Sequence, residues 1–447
     1  MHRRVLIKNV TIVNEGKSFK GALVIDDDRI DEIFVGDSLN LEIPADEVVD
    51  GNGGYLLPGI IDTHVHFRDP GLTHKGDILS ESRAAAAGGV TTYLDMPNTL
   101  PQTTTQAAFE EKLNLAAEKS FVNYGFFFGA TCDNLDTLQR LNKRKVCGIK
   151  LFMGSSTGGM LVDKESALRK IFEQPRLPIV THCEDSAIIA ENMRQLQEEL
   201  GVKDPDVKYH SRIRSEEACY KSTQLAVKLA KESGARLHVA HISTAKELEL
   251  FSKENPNITA EVCLPHLLYT EADYERLGTR IKCNPAVKTL EDRTALRAAL
   301  TSGLIYSVAT DHAPHALSEK RGGAISAVSG IPMLQYSLLA MLGLVDEGVL
   351  SIERMVELMC HHPADLFSIE NRGYIREGYK ADLVLVAPNS PWTLTPNKIE
   401  SKCNWSPLEG HTFFWQIKKT YCNGALIYNN GSITNENFRG QSVTFCR

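Results

Sequence analysis

Several features that would place a protein in a membrane, in a secretory compartment or on nucleic acid are missing from this sequence. It contains no run of about 18 apolar residues, so no transmembrane helix is expected. Its first residues are basic, but polar residues interrupt the apolar stretch that a signal peptide requires. No cluster of Lys and Arg stands out and the net charge is −7, which argues against nucleic acid as a partner.

Closely spaced cysteine pairs are also missing. The ten cysteines are scattered, and no two are as close as C-x-x-C. Most lie inside apolar runs, such as those around Cys147, Cys183 and Cys263. This pattern predicts buried free thiols in a reducing cytoplasm, and it indicates that cysteine does not carry the chemistry.

What the sequence does contain is a long alternation of strands and helices. With 447 residues, 43% of them hydrophobic, the chain can bury a large core. From Pro58 onward, apolar β-branched segments alternate with segments rich in Ala, Glu, Lys and Leu, as in βα units on a parallel sheet. Eight strands are predicted, at 59–67, 89–96, 122–130, 147–153, 177–184, 236–243, 258–264 and 305–313. They predict an α/β fold with a (β/α)8 TIM-like barrel over 56–369, whose chemistry lies at the C-terminal ends of its strands.

The two ends of the chain have a different character. Residues 1–55 and 370–447 contain short strands punctuated by Gly and Asp, without a helical period. Neither end alone has enough strands to bury a core. We therefore predict that both ends pair into one small β-sandwich domain beside the barrel.

The first barrel strand carries the most informative motif, PGIIDTHVHFRDP at 58–70. Side chains two residues apart in a strand point to the same face, so His64 and His66 can ligate one metal ion. Arg68 follows with the same parity just past the strand end, where a cation could hold an anionic substrate.

Polar residues on four further strands extend this site: Lys150 on strand 4, His182 on strand 5, His241 on strand 6 and Asp311 on strand 8. A single histidine in a strand is most often a hydrogen-bonded core residue. Four histidines and an acid at C-terminal strand ends instead predict a metal site. His238 and His312 have the opposite parity and are predicted to be structural.

Lys150 is the unusual member of this set, because burying an ammonium beside divalent cations is costly. A buried lysine can lose its proton, and the neutral amine can take up CO₂ to become a carbamate. We expect carboxylated Lys150 to bridge two divalent cations, for which nitrogen-rich ligation favours Zn²⁺, although Mn²⁺ or Co²⁺ also fits. The alternative is a Lys150 side chain paired with a carboxylate. The remaining ligands are expected to be His64, His66 and Asp311 for one cation and His182 and His241 for the other.

Two stretches, HVHFRDP at 64–70 and ATDHAPHALSEK at 309–320, resemble the signature stretches of dihydroorotases within the cyclic-amidohydrolase family. The similarity extends over most of the chain, through AAAAGGVTTYLDMPNT, GIKLF, THCED, VAHIS and GYKADLVLV. Lys150 resembles the subclass that has a carboxylated lysine bridge. AVSGIPMLQ at 327–335 departs from the Gly-Leu-Glu-Thr pattern of many dihydroorotases, which leaves the substrate contacts there open.

This resemblance implies reversible interconversion of N-carbamoyl-L-aspartate and L-dihydroorotate, a small-molecule reaction of pyrimidine biosynthesis. Hydroxide bridging the two cations would attack the ring carbonyl, and Asp311 would act as general acid and base. By the same resemblance, Arg68, Asn98 and His315 bind the substrate carboxylate and Asn284 contacts the ring. Similar enzymes are usually homodimers, and we expect a cytoplasmic homodimer here.

Two alternatives start from the same residues. Allantoinases and hydantoinases, the latter including dihydropyrimidinases, resemble this chain in their metal ligands but usually lack an arginine equivalent to Arg68. A dihydroorotase-like scaffold without catalysis would lack metal ligands, whereas every ligand position is filled here.

Overall fold

The computed structural model describes residues 3–154, 160–173 and 177–447, and a β-sheet begins the chain. Turns in which Gly16 and Asp27 have a positive φ separate its first three strands. The first five strands are β1 (Arg4–Asn14), β2 (Lys17–Asp26), β3 (Arg29–Val35), β4 (Glu47–Asp50) and β5 (Tyr55–Pro58). Strands β1 to β3 are antiparallel, whereas β4 and β5 pair with β1 in parallel.

Eight parallel strands follow, and they confirm the predicted barrel. They are β6 (Ile60–Val65), β7 (Val90–Asp95), β8 (Asn123–Gly129), β9 (Val146–Phe152), β10 (Ile179–His182), β11 (Leu237–Val239), β12 (Ile258–Cys263) and β13 (Ser307–Ala309). Each strand pairs with the next in chain order. The His66 amide donates to the His312 carbonyl oxygen at 2.7 Å, which nearly closes the ring between the first and last strands. Every residue of these strands is buried, which explains their almost continuous apolar sequences.

Helices connect the barrel strands and follow the last one. They are α1 (Ile78–Ala87), α2 (Gln106–Lys119), α3 (Leu135–Arg140), α4 (Glu165–Phe172), α5 (Ser186–Leu200), α6 (His210–Ile213), α7 (Glu216–Ser233), α8 (Ala245–Leu248), α9 (Leu264–Leu268), α10 (Tyr274–Leu277), α11 (Leu290–Ser302), α12 (Ser337–Asp346), α13 (Ile352–Val356) and α14 (His362–Phe367). Side chains of Thr105, Asp185 and Ser215 cap the starts of α2, α5 and α7 by accepting backbone N–H groups. Within the described residues, no helix has the length and apolar character needed to cross a bilayer.

The C-terminal strands return to the sheet that begins the chain. They are β14 (Leu383–Ala387), β15 (Trp392–Thr393), β16 (Thr412–Phe413), β17 (Gln416–Cys422), β18 (Ala425–Asn429) and β19 (Ser432–Ile433). Strand β14 pairs with both β5 and β17, so strands from both ends of the chain form one nine-stranded sheet. The predicted fold class is therefore confirmed, while the boundaries at 55/56 and 369/370 remain predictions.

A buried ion pair between Arg372 and Asp382 lies where the sheet meets the barrel. Asn123, at the start of β8, donates to Asp382 Oδ2 at 3.2 Å, and the Asn423 amide donates to Asp382 Oδ1 at 2.7 Å. A buried carboxylate is stable only when it is paired and hydrogen-bonded, and Asp382 meets both conditions. It thereby fixes the sheet against the barrel.

The last residues of the chain pack against the N-terminal ends of the barrel strands. The Val443 amide donates to the Tyr124 carbonyl oxygen at 2.9 Å, and the Arg447 guanidinium donates to the Cys147 carbonyl oxygen at 2.8 Å. Phe445 between them is fully buried. Protein therefore covers this end of the barrel.

Candidate metal centre and substrate cavity

A cavity of about 530 Å³ opens at the C-terminal ends of the barrel strands. Chemistry in (β/α)8 barrels occurs at this end, where the loops that follow the strands converge. All ten site residues predicted from the sequence line the cavity. They are His64, His66, Arg68, Asn98, Lys150, His182, His241, Asn284, Asp311 and His315.

Three of these residues form a compact group of possible metal ligands. His64 lies on β6, His66 follows that strand directly, and Asp311 lies two residues past β13. The Nε2 atoms of His64 and His66 are 3.4 and 3.1 Å from Asp311 Oδ1. Ligand atoms of all three lie within 4.8 Å of one another. Two imidazole nitrogens and a carboxylate oxygen at this spacing can hold a divalent cation.

The environment of this group favours the protonation states that bind metals. Burial alone would raise the pKa of Asp311, but the neighbouring histidines outweigh burial and lower this pKa to about 2. Burial lowers the pKa of His66 to about 4. At neutral pH the group thus offers a carboxylate and a neutral imidazole, as metal ligation requires.

His182 and His241 form a second group of nitrogen ligands. His182 ends β10 and His241 lies two residues past β11. Their Nδ1 and Nε2 atoms, respectively, are 2.9 Å apart. Both rings are buried, and burial lowers the pKa of each below its usual value. The two rings are therefore neutral and able to ligate a second cation.

Lys150 is the buried amine that the sequence singled out. Its side chain lies on β9 over the Phe152 ring, with Nζ 5.2 Å from the ring centroid. Nζ is buried and makes no hydrogen bond within the part of the chain that the structure describes. Burial lowers the pKa of Lys150 to about 8, although the charges of Glu261 and Asp311 oppose this shift. A buried amine without a hydrogen-bond partner, among histidines and an aspartate, fits a residue that contributes to a metal centre.

Hydrogen-bond acceptors orient three of the four histidine rings. His64 Nδ1 donates to Glu261 Oε1 at 2.8 Å. His66 Nδ1 donates to Asn98 Oδ1 at 2.8 Å. His182 Nε2 donates to Glu184 Oε2 at 3.0 Å. A ring whose one nitrogen donates to such an acceptor keeps its other nitrogen available for a metal.

Glu261 and Glu184 were not identified from the sequence. Glu261 is a charged residue within the apolar strand ITAEVC, just as Lys150 is within β9. Glu261 also accepts a hydrogen bond from Thr63 Oγ1 at 2.9 Å. Glu184 lies two residues past the end of β10 and forms a buried ion pair with Arg214. Both carboxylates are fully buried, so their negative charges act strongly on the adjacent rings.

We expect Glu261→Gln to weaken zinc binding by about 10- to 100-fold, because the neutral amide no longer holds His64 with a negative charge. Competition between the protein and a zinc chelator measures this affinity, and thermal unfolding confirms that the variant folds. Glu254→Gln, a change on the exposed loop before β12, is the matched control. Zinc affinity equal to that of the unmodified protein would contradict the role of Glu261.

His238 and His312, predicted to be structural, are not among the residues that line the cavity. His238 Nδ1 is 2.8 Å from Thr259 Oγ1. His312 Nε2 donates to Glu81 Oε2 at 2.9 Å. Both rings therefore make hydrogen bonds outside the cavity.

Three of the cavity residues have a left-handed backbone. The φ angles of Arg68, His241 and Asp311 are 67°, 41° and 48°. Such conformations are unfavourable for residues other than glycine and cluster at functional sites. Each of the three follows a barrel strand within three residues of its end, so the turn aims the side chain at the cavity.

Arg68, His315 and Lys75 form a cationic part of the cavity. Arg68 Nε donates to the Pro314 carbonyl oxygen at 3.1 Å, and Arg68 Nη2 lies 3.0 Å from His315 Nε2. Lys75 Nζ lies 3.1 Å from His315 Nδ1. Burial and the two cations lower the pKa of His315 far below its usual range, so this ring is neutral. Burial lowers the pKa of Arg68 only to about 10, so its guanidinium remains charged.

Asn284 lies in the same cavity, and His210 Nε2 donates to its Oδ1 at 3.1 Å. His210 and Lys75 were not identified from the sequence, because neither stands at a barrel strand end. His210 begins the short helix α6, and Lys75 lies in the loop between β6 and α1. Neither residue belongs to a strand or helix pattern that would have indicated a functional role.

The stretch at 327–330, which departs from the dihydroorotase pattern, forms one wall of the cavity. The buried Lys320 ammonium holds this wall from behind by donating to the carbonyl oxygens of Val328 and Gly330, each at 2.9 Å. It also donates to the Lys282 carbonyl oxygen at 3.0 Å. Lys320, the last residue of the stretch 309–320, thus holds this wall in place through its hydrogen bonds.

Known proteins are similar to this chain over nearly its whole length. A dihydroorotase of Methanosarcina mazei is 34% identical over 97% of this chain and 96% of its own length. An allantoinase of Bacillus velezensis is 30% identical over 96% of this chain and 94% of its own length. The solved structure of the L-hydantoinase (dihydropyrimidinase) of Arthrobacter aurescens superposes with a TM-score of 0.92 at 29% identity, covering 99% of this chain and 100% of that chain.

The family assignment rests on a match that covers most of the chain. Residues 55–427, which include the whole barrel and the sheet strands β5, β14 and β17, match the amidohydrolase family. The metal-ligand geometry at the barrel mouth agrees with this match, and so does the resemblance found in the two signature stretches. The chain belongs to the amidohydrolase family and is therefore an enzyme of the hydrolase class.

Proposed function

We propose that this enzyme interconverts L-dihydroorotate and N-carbamoyl-L-aspartate by reversible hydrolysis of a cyclic amide. The observation that carries the proposal is an arginine-based anion pocket in the same cavity as the candidate metal centre. Dihydroorotate fits both the metal centre and the anion pocket, since it has a cyclic amide and a carboxylate on one small ring. The similarity to proteins named dihydroorotase supports the same substrate.

The charge of the cavity lining favours an anionic substrate. Apart from Lys150, four Lys and Arg side chains line it, whereas Asp311 is the only carboxylate among the described residues of the lining. The four are Arg68, Lys75, Arg214 and Lys282. A cleft lined mainly by one sign of charge attracts the opposite charge.

Two divalent cations fit the donor set, and Zn²⁺ suits its nitrogen-rich character best. We propose that Lys150, carboxylated to a carbamate, would serve as a ligand to both cations. His64, His66 and Asp311 would hold one cation, and His182 and His241 would hold the other. Bound there, the cations would polarise the ring carbonyl and make a water molecule acidic enough to attack near neutral pH.

Asp311 is the residue we assign to proton transfer. Its carboxylate stays ionised and can accept a proton from the attacking water. As the bond between the carbonyl carbon and the ring nitrogen breaks, Asp311 gives this proton to the departing nitrogen. Ring opening creates a second carboxylate, and the reverse reaction runs through the same steps.

Arg68 is the residue we assign to the substrate carboxylate. A guanidinium can donate two parallel hydrogen bonds to a carboxylate, and His315 lies 3.0 Å from its Nη2. Asn98 and Asn284 complete the proposed contacts, to the carboxylate and to the ring respectively. The expected homodimer and cytoplasmic location also remain predictions.

We expect Arg68→Met to lower kcat/KM for L-dihydroorotate by about 100-fold or more, because each hydrogen bond to a charged group contributes about 1.5–3 kcal/mol. Dihydrouracil, the same ring without the carboxylate, should be a poor substrate whose turnover is little affected by this change. Kinetic assays of the zinc-loaded enzyme with both substrates, allantoin and hydantoin measure these differences. Arg83→Met, on the outer face of α1 and paired with Glu436, is the matched control.

Other outcomes of these assays identify the alternatives. Preference for allantoin or a hydantoin, with Arg68→Met leaving dihydroorotate turnover unchanged, would indicate an allantoinase or hydantoinase. The similarity to such proteins keeps that function as the second candidate. A protein that binds less than one zinc ion per chain and is inactive on every substrate would instead be a scaffold.

A further inference from the structure

His315 has a cationic donor next to each of its two ring nitrogens. Lys75 Nζ is 3.1 Å from Nδ1, and Arg68 Nη2 is 3.0 Å from Nε2. Neither an ammonium nor a guanidinium can accept a hydrogen bond. A neutral imidazole has one nitrogen that accepts and one N–H that donates. One of the two contacts must therefore bring two N–H groups face to face.

The surroundings of Lys75 indicate which contact is the hydrogen bond. Glu319 Oε1 lies 3.0 Å from Lys75 Nζ and holds the ammonium beside the ring. Glu319 Oε2 accepts from the Ala316 amide at 2.9 Å and is 3.6 Å from His315 Nδ1, beyond hydrogen-bond distance, so Lys75 Nζ at 3.1 Å is the group that bonds Nδ1. With Lys75 donating to Nδ1, the ring proton lies on Nε2, on the side where His315 meets Arg68.

This arrangement leaves two N–H donors, His315 Nε2–H and Arg68 Nη2–H, next to each other. A single anionic oxygen placed between them would accept from both, which removes their mutual repulsion. Both residues line the cavity, so a substrate carboxylate can supply that oxygen.

We propose that Lys75 is a positioning residue that selects the Nε2-protonated tautomer of His315 and thereby makes the anion pocket specific for a carboxylate. The inference builds on the proposed function, since the anion is taken to be the carboxylate of dihydroorotate. Lys75 acts through His315, and the side chain that contacts the substrate is the histidine.

The tautomer of His315 can be measured without turnover. In protein with ¹⁵N-labelled histidine, the His315 nitrogen shifts should indicate a protonated Nε2 in the unmodified enzyme. We expect Lys75→Met to give a mixture of tautomers or the opposite one, whereas Lys75→Arg, which can still donate, should keep the original form. Lys402→Met, an exposed lysine paired with Asp77, is the matched control. Unchanged shifts in Lys75→Met would overturn the proposal.

Kinetics test the consequence for substrate binding. We expect Lys75→Met to raise KM for L-dihydroorotate by about 10- to 100-fold, since a hydrogen bond to a charged group is weakened, with kcat nearly unchanged. Turnover of dihydrouracil should not change. A normal KM in Lys75→Met, alongside a raised KM in Arg68→Met, would overturn the role of Lys75 but leave the proposed function intact.

Failure of the proposed function gives a different pattern. If the unmodified enzyme did not turn over dihydroorotate, the nitrogen shifts would still decide whether Lys75 sets the tautomer. Lys75→Ala serves as a second variant should Lys75→Met fold poorly. The two proposals therefore fail on separate measurements.

Discussion

Lys150→Ala is expected to lower kcat by about 10³-fold or more, since catalytic metal ions contribute several kcal/mol to the transition state and ~1.4 kcal/mol corresponds to a factor of ten. The variant should also bind fewer zinc ions per chain, because the proposed bridging ligand is lost. Steady-state kinetics with dihydroorotate and elemental analysis of the purified protein measure both effects. A native mass spectrum of the unmodified protein should show the additional mass of one CO₂.

Restoring activity with an added carboxylate tests directly whether a carbamate on Lys150 is needed. Formate or propionate should restore part of the activity of Lys150→Ala, because a carboxylate has the same two oxygens as a carbamate. The surface change Lys246→Ala, at a side chain that is 44% exposed, should have no effect on activity or on zinc content. Full zinc content and full activity in Lys150→Ala, or a native mass that lacks CO₂, would refute the carbamate.

Asp311→Asn is expected to lower kcat by about 10²- to 10⁴-fold, the usual contribution of a general acid–base residue. Asparagine has nearly the same shape as aspartate but cannot accept a proton from the attacking water. Its carbonyl oxygen can still face the His64 and His66 nitrogens, so zinc should be retained better than in Lys150→Ala. The measurement is kcat in both directions of the reaction, together with the zinc content.

The size of the fall is what tests this assignment. The equilibrium constant is fixed, so kcat/KM for ring closure and ring opening must fall by the same factor, and agreement between the two directions serves as a check on the assay. Asp365→Asn, on an exposed side chain that accepts from the Tyr374 hydroxyl at 2.7 Å, is the control. An Asp311→Asn variant that retains zinc and has a kcat close to that of the unmodified enzyme would assign proton transfer to another group.

The barrel and the residues that line its cavity could be predicted because their signals are local. An apolar strand that ends in a polar residue is visible within ten residues of sequence, and strand parity then indicates the inward face. Lys150 was found this way, since a lysine inside an apolar strand has few structural explanations. The same reasoning separated His241 from His238, whose ring contacts Thr259 behind the barrel.

The residues that support the ligands could not be predicted as easily. Glu261 carries the same kind of local signal as Lys150, but its partner His64 is 197 residues away in the chain. Only the closed barrel brings those two strands together. Lys75 lies in a loop without periodicity, so its contact with His315 depends on two loops whose paths the sequence does not specify.

The left-handed turns at Arg68, His241 and Asp311 have a consequence for laboratory evolution of this enzyme. Each such turn costs roughly 1–3 kcal/mol in a residue with a side chain, and glycine would relieve that cost. A screen that rewards heat resistance alone would therefore favour glycine at three positions of the proposed reaction centre. The most heat-resistant variants from such a screen would be well-folded barrels without catalytic activity.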